Sequence, residues 1–155
     1  VGRHMQVLTV DDMFDGSWSW QYRSVDALQE WEATYCPLST NDIVVDGAAQ
    51  LWLVFETMGR VVQMSFGEPA QPSWVGEPFT ETRQKNPAIA FNQQGDRLVA
   101  WGESVSHSRG GRLNLRVFTA DGDEADYRLA EQVHIANFSF PAVTALPDGN
   151  FLVLH

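Results

Sequence analysis

The sequence predicts an all-β protein built from four-stranded antiparallel units. Three observations carry that expectation: an internal repeat, alternating apolar strands inside each copy, and a turn-then-aromatic pattern after the third strand of each copy. The repeat is clearest between residues 86–101, NPAIAFNQQGDRLVAW, and 140–155, FPAVTALPDGNFLVLH. A constant offset of 54 lays Pro87 on Pro141, Gly95 on Gly149 and Leu98-Val99 on Leu152-Val153. A weaker copy, NDIVVDGAAQLWLVF at 41–55, aligns with 87–101 at an offset of 46 and sets Ile43 on Ile89 and Phe55 on Trp101. Each copy reads as an apolar strand, a turn and a second strand, the pattern of a β-hairpin.

The elements follow in order. SWSWQYR (17–23), RVVQMSF (60–66) and RLNLRVF (112–118) are rich in β-branched and aromatic residues and take the role of third strands. Each leads through a turn to an aromatic: Ser24 to Trp31, Ser65 to Trp74, Thr119 to Tyr127. SVDALQEWE (24–32) has apolar residues every third position, as a short helix would. The company of the other two turns reads it instead as a tight link between a third and a fourth strand, with Trp31 packed. Gly110-Gly111 reads as a hairpin turn.

Four short strands repeated every fifty residues or so is the period of a propeller-like blade, in which each sheet buries its faces against its neighbours. The alternative all-β arrangement is a β-sandwich, which does not require fixed-offset repetition. Residues 1–5, VGRHM, resemble a vector remnant. Residues 6–155 then form a single all-β domain or partial propeller, with units at about 6–40, 41–85 and 86–136 and an incomplete one at 137–155. That amounts to about three blade equivalents, beginning with the later strands of one unit and ending with the first two strands of another. Such ends suit either a piece of a longer propeller or two copies that close a ring by pairing.

Composition narrows the function classes. The 155 residues include 10 basic and 20 acidic side chains, for a net charge of −10. That balance offers no footprint for nucleic acid and repels an anionic membrane surface. The longest apolar runs, such as LWLVF at 51–55, are far too short to insert across a bilayer. The single cysteine, Cys36, allows no disulfide within the chain. No signal peptide is visible, which leaves the compartment open between cytoplasmic and mature secreted. DGDEAD (121–126) reads as an acidic turn because it lacks the ligand order of a calcium loop. The four histidines show no zinc spacing, no phosphate-binding glycine loop occurs, and no cofactor is expected.

SFGEPAQPSWVGEP (65–78) resembles a degenerate Asp-box of the sialidase-like propellers, with Ser65, Ser73, Trp74 and Pro78 matching in kind and the family's Asp and Gly missing. Ser24, Asp26, Leu28 and Trp31 of SVDALQEWE are similar to a turn in the five-bladed propeller glycosidases, with one residue inserted. FTADG (118–122) resembles the equivalent turn of bacterial propeller repeats. The resemblance spans 17–155 at the level of single blades. It implies a folding role for the box, whose side chains satisfy turn amides, and it implies no catalytic role.

Antiparallel alternation gathers the second-to-third-strand loops and the links between units at one end of the sheets. There lie Glu56, Thr57 and Arg60, then Glu103, Ser104, His107 and Arg109, with Asn41, Asp42, Asn86 and Asn137 on the links and His155 in the matching place of the last copy. Two readings result. In the first, a non-catalytic module binds a glycan or a protein through Arg60, Asn86, His107, Arg109, Asn137 and His155, with homodimerisation closing its ring. In the alternative, Glu56 and Glu103 act as the carboxylate pair of a glycoside hydrolase, sialidase-like or furanosidase-like. The sialidase arginine and tyrosine signature is not complete, and QYRSV is its nearest counterpart.

Overall fold

The structure is a computed structural model that describes residues 6–11, 19–24, 39–66, 71–76, 82–105, 108–127, 129 and 131–155. Among the described residues there are twelve strands and no helix. β1 (Gln6–Asp11) and β2 (Ser19–Ser24) form a two-stranded sheet. β3 (Asp42–Val45), β4 (Leu51–Thr57), β5 (Arg60–Ser65) and β6 (Gln71–Trp74) form a four-stranded meander. A second meander holds β7 (Gln84–Phe91), β8 (Arg97–Glu103), β9 (Gly111–Phe118) and β10 (His134–Ile135). β11 (Ala142–Ala145) and β12 (Phe151–Leu154) pair as a final hairpin. All these pairings are antiparallel, so the fold is all-β and built around two four-stranded antiparallel sheets, an arrangement consistent with propeller-like blades or a sandwich.

The repeat is structural as well as sequential. Asp42 faces Val54 and Val45 faces Leu51 across the first hairpin. Ala88 faces Ala100 and Phe91 faces Arg97 across the second, and Ala142 faces Leu154 and Ala145 faces Phe151 across the third. These pairs superimpose at the sequence offsets of 46 and 54. The connecting turns share one hydrogen-bond pattern: Ala49 N–H to Asp46 O, Gly95 N–H to Asn92 O, and Gly149 N–H to Leu146 O. Asp46 Oδ1 accepts from the Ala48 and Gln50 amides, and Asn92 Oδ1 accepts from those of Gln94 and Asp96. Each is a side chain holding its own turn. The turn needs a left-handed residue, with φ of 89° at Gly95 and 90° at Gly149; Ala49 is forced to 61°.

The sheets stack face to face through their alternate residues. Val54, Val61 and Val75 of the first meander close on Ile89, Val99 and Trp101 of the second. The opposite face of the second meander, Leu98, Ala100, Leu113 and Leu115, receives Val143, Phe151 and Val153 of the last hairpin. Arg97 is buried between the two meanders. Its guanidinium lies 4.6 Å from the Trp52 ring and 4.4 Å from the Phe118 ring, and its Nε donates to Gln63 Oε1 at 3.0 Å. Burial lowers its pKa, and the two aromatic faces and the amide oxygen offset part of the lost hydration.

Inner strands are tied across the stack by side chains. Asp42 Oδ2 on β3 accepts from the Ile89 amide on β7 at 3.0 Å. Asn86 stands at a bulge in β7, with φ of 55°, accepts from the Thr40 amide and donates its own N–H to Ser39 Oγ. These bonds satisfy edge amides that would otherwise be left open.

Two sequence expectations shift. The strand after β9 is the short β10, not one opened by Tyr127, because the acidic turn continues: the Ala125 amide bonds Val117 O and the Tyr127 amide bonds Ala125 O. Gly111 is the first residue of β9, and Gly110 precedes it. A methyl group on Gly111 would meet Glu103 O at 2.1 Å, so a close backbone approach, not a hairpin turn, calls for glycine there. Trp74, at the end of β6, is 41% exposed, with the Arg60 guanidinium 3.9 Å from its ring. Residues 25–38, with most of SVDALQEWE and Cys36, lie outside the described residues.

The shared turn yields a stability test. A left-handed residue with a side chain costs about 1–2 kcal/mol, and glycine's added chain entropy cancels part of that gain. Ala49→Gly should therefore stabilise the protein by about 0.5 kcal/mol. Gly95→Ala should destabilise it by about 1 kcal/mol or more, since its methyl also meets the Ala120 methyl at 3.2 Å. Urea unfolding of both variants measures the difference; equal stability would show that the turns are not equivalent.

Candidate functional site

The predicted residues gather at one end of the stack. β4 and β5 are joined through Met58 and Gly59, at φ of 53° and 76°, a geometry suited to a tight hairpin. Glu56 Oε1 accepts from the Gly59 amide at 2.7 Å. Burial raises the Glu56 pKa, against that bond and the nearby charges of Lys85 and Arg83. The Gln84 amide donates to Gly59 O, its side-chain oxygen accepts from the Val61 amide at 2.9 Å, and Gln84 pairs with Glu103 in the ladder. Glu56 and Glu103 thus flank the start of β7, and among the described residues no hydrogen bond joins them.

Glu103 is buried at 8% exposure. Its Oε1 accepts from the Thr82 hydroxyl and its Oε2 from the Asn114 amide, with Arg112 Nη2 3.9 Å away. These bonds tie β8 to β9 and to the link before β7. Glu103 borders a cleft of about 380 Å³ with Arg112, Asn114, Arg116 and Glu131. Glu56 is engaged by its turn and Glu103 by three neighbours, so each carboxylate is a structural tie.

The remaining residues are dispersed. Arg60 is half-buried over Trp74, and its Nε and Thr57 Oγ1 are buried without a hydrogen-bond partner in the structure. Asn86 is 2% exposed and spent on the bulge. Arg109 is exposed, reaching Ser104 O at 3.5 Å. Asn137 is exposed on the link after β10, and His155 is exposed at the end of β12. His107 lies outside the described residues. Among the described residues no group of three or more His, Cys, Asp or Glu is placed to hold a metal ion, and no helix is long and apolar enough to cross a membrane.

A larger cavity lies elsewhere, and the sequence reading missed it apart from His155. A groove of about 610 Å³ opens between the second meander and the last hairpin. Leu98, Leu113, Leu115 and Val117 form one wall, Phe151 and Val153 the other, and Tyr127 and His155 stand at its mouth. In the interface between the two meanders, Val61 on β5 and Val75, just after β6, help fill the corresponding space. Among the described residues no third strand pairs with β12, and the groove runs beside that edge. The signal was in the repeat: the copy at 140–155 had a first and second strand and no third.

No protein-family model, curated protein or solved structure matches this chain.

The two glutamates should respond differently to neutralisation. Glu103→Gln sets an amide N–H against donors it must face, and should cost about 1–3 kcal/mol. For Glu56, a raised folded-state pKa means that the folded protein holds the proton more tightly than the unfolded chain. Its stabilising effect is full below the ordinary value of 4.5 and is lost as pH rises through the raised value. Glu56→Gln should therefore gain stability relative to wild type as pH rises from below 4.5 to neutral. Thermal melts across that range measure both; a constant Glu56→Gln difference would contradict the buried-carboxylate assignment.

Proposed function

We propose that this chain is a non-catalytic, propeller-like module that binds another polypeptide by strand addition along the free edge of β12. The observation that carries this reading is the groove of about 610 Å³ beside that edge, walled by aliphatic side chains. An added strand gains main-chain hydrogen bonds from an open edge, and alternate side chains enter the apolar cleft. The surface next to it is also apolar, with Leu152 43% and Leu154 62% exposed on the other face of the hairpin.

The glycosidase alternative fits the site less well. Retaining and inverting hydrolysis both need two carboxyl groups free to meet a sugar. Here one holds a turn amide and the other is buried among Thr82, Asn114 and Arg112. A glycan-binding platform is likewise disfavoured at Trp74, because Arg60 covers one face of its ring. The sialidase-like resemblance is retained as a proposal about fold ancestry, with no activity attached.

A peptide with the sequence of residues 60–66, RVVQMSF, is the natural probe, since that segment is the third strand of the first meander. Labelled peptide titrated with dilute chain should give saturable fluorescence anisotropy. The same peptide with proline at its third residue should bind far more weakly, because proline removes a ladder donor and bends the strand. Equal binding of both peptides, or hydrolysis of aryl glycosides abolished by Glu103→Gln in a folded variant, would overturn the reading.

A further inference from the structure

We infer that the polypeptide received by the β12 edge is the β1–β2 hairpin of a second copy of this chain, so that two chains complete each other's half-sheets. The inference rests on the strand-addition reading and adds the identity of the partner.

The first ground is register. β11–β12 matches β3–β4 and β7–β8 pair for pair, so it is the first half of a four-stranded unit. β1 reads QVLTVD where β5 reads RVVQMS, again at an offset of 54. β1 pairs antiparallel with β2, as β5 does with β6, at a register that differs by two residues. The β1–β2 hairpin is therefore the second half of such a unit, with β2 outermost, one place further out than the sequence reading put it. Among the described residues it is hydrogen-bonded to no third strand. The two half-sheets of one chain are the complementary halves of one blade.

The second ground is where the described strands leave large apolar side chains exposed. Ile43 and Val45 on β3 are 54% and 57% exposed, although their counterparts Ile89 and Phe91 on β7 are buried or partly buried against the first meander. Leu152 and Leu154 on β12 are exposed, whereas their counterparts Leu98 and Ala100 on β8 are 4% and 0% exposed under the last hairpin. In the repeated interface, the residues equivalent to Leu152 and Leu154 pack on those equivalent to Ile43 and Val45. The two exposed patches are the two sides of one missing contact.

A two-fold pair makes the exchange reciprocal: each β12 receives a β1, and each β3 is covered by the partner's β11–β12. The burial of two apolar patches and the closing of two sheet edges then favour association over the open monomer.

Light scattering on a sizing column tests this on the full chain. A monomer is 17.4 kDa, and the wild type should elute at twice that mass. Ile43→Lys and Leu154→Lys place a charge on side chains that are already exposed in the single chain, so each should fold and each should shift the mass to that of a monomer. Met58→Lys, at an equally exposed position on the β4–β5 turn, should remain a dimer. A wild-type monomer at high concentration, or a dimer that survives both Ile43→Lys and Leu154→Lys, would overturn the inference. If the monomer still binds the 60–66 peptide, the strand-addition reading stands and only the identity of the partner fails. A monomer that does not bind the peptide removes both.

Discussion

A sheet that is apolar on both faces must be covered on both faces, and this constraint organises the molecule. The first meander buries Val54 and Val61 on one side and Leu53, Phe55, Val62 and Met64 on the other. The second buries Ile89, Val99 and Trp101 on one side and Leu98, Leu113 and Leu115 on the other. Neither could stand alone in water, since each exposed face would forfeit the burial that holds it. The repeat solves this by stacking. Among the described sheets, β11–β12 is covered on one face and shows Leu152 and Leu154 on the other.

Polar groups inside the stack fix how the sheets sit on one another. Arg97 occupies the position that Leu51 and Phe151 hold in the other two copies. A buried cation in an apolar register position is costly unless its surroundings replace water. Trp52 and Gln63 from the neighbouring sheet, together with Phe118 from its own, supply that replacement. Asp42, Asn86 and Asn92 add bonds between adjacent units, the last from its Nδ2 to Gly149 O at 3.0 Å. Apolar stacking tolerates sliding, whereas these directional bonds specify one offset between sheets.

Much of the fold was legible because strand periodicity and turn chemistry are local. The match of NPAIAFNQQGDRLVAW to FPAVTALPDGNFLVLH reports a hairpin register that the structure reproduces pair for pair. What stayed hidden depends on neighbours far apart in sequence. Nothing local marks Arg97 as an inter-sheet residue, because its partners lie 34 to 45 positions earlier and 21 later. Glu56 and Glu103 looked like a catalytic pair because both end second strands, and the position of an acid does not reveal whether Thr82 or a turn amide has already engaged it. Tyr127 was misplaced because an aromatic after a turn signals a strand only when the backbone between them is free to extend. The groove escaped notice because it is defined by strands that are not beside β12.

The central claim is that the free edge of β12 is a pairing surface and not a finished boundary. Hydrogen–deuterium exchange across residues 151–154, followed as the concentration of the chain is raised, tests it most directly. The account predicts that the outward amides of β12 exchange rapidly in dilute protein and gain protection comparable to β8 as concentration rises. Rapid exchange of those amides at every concentration, with β4 and β8 protected throughout, would contradict it.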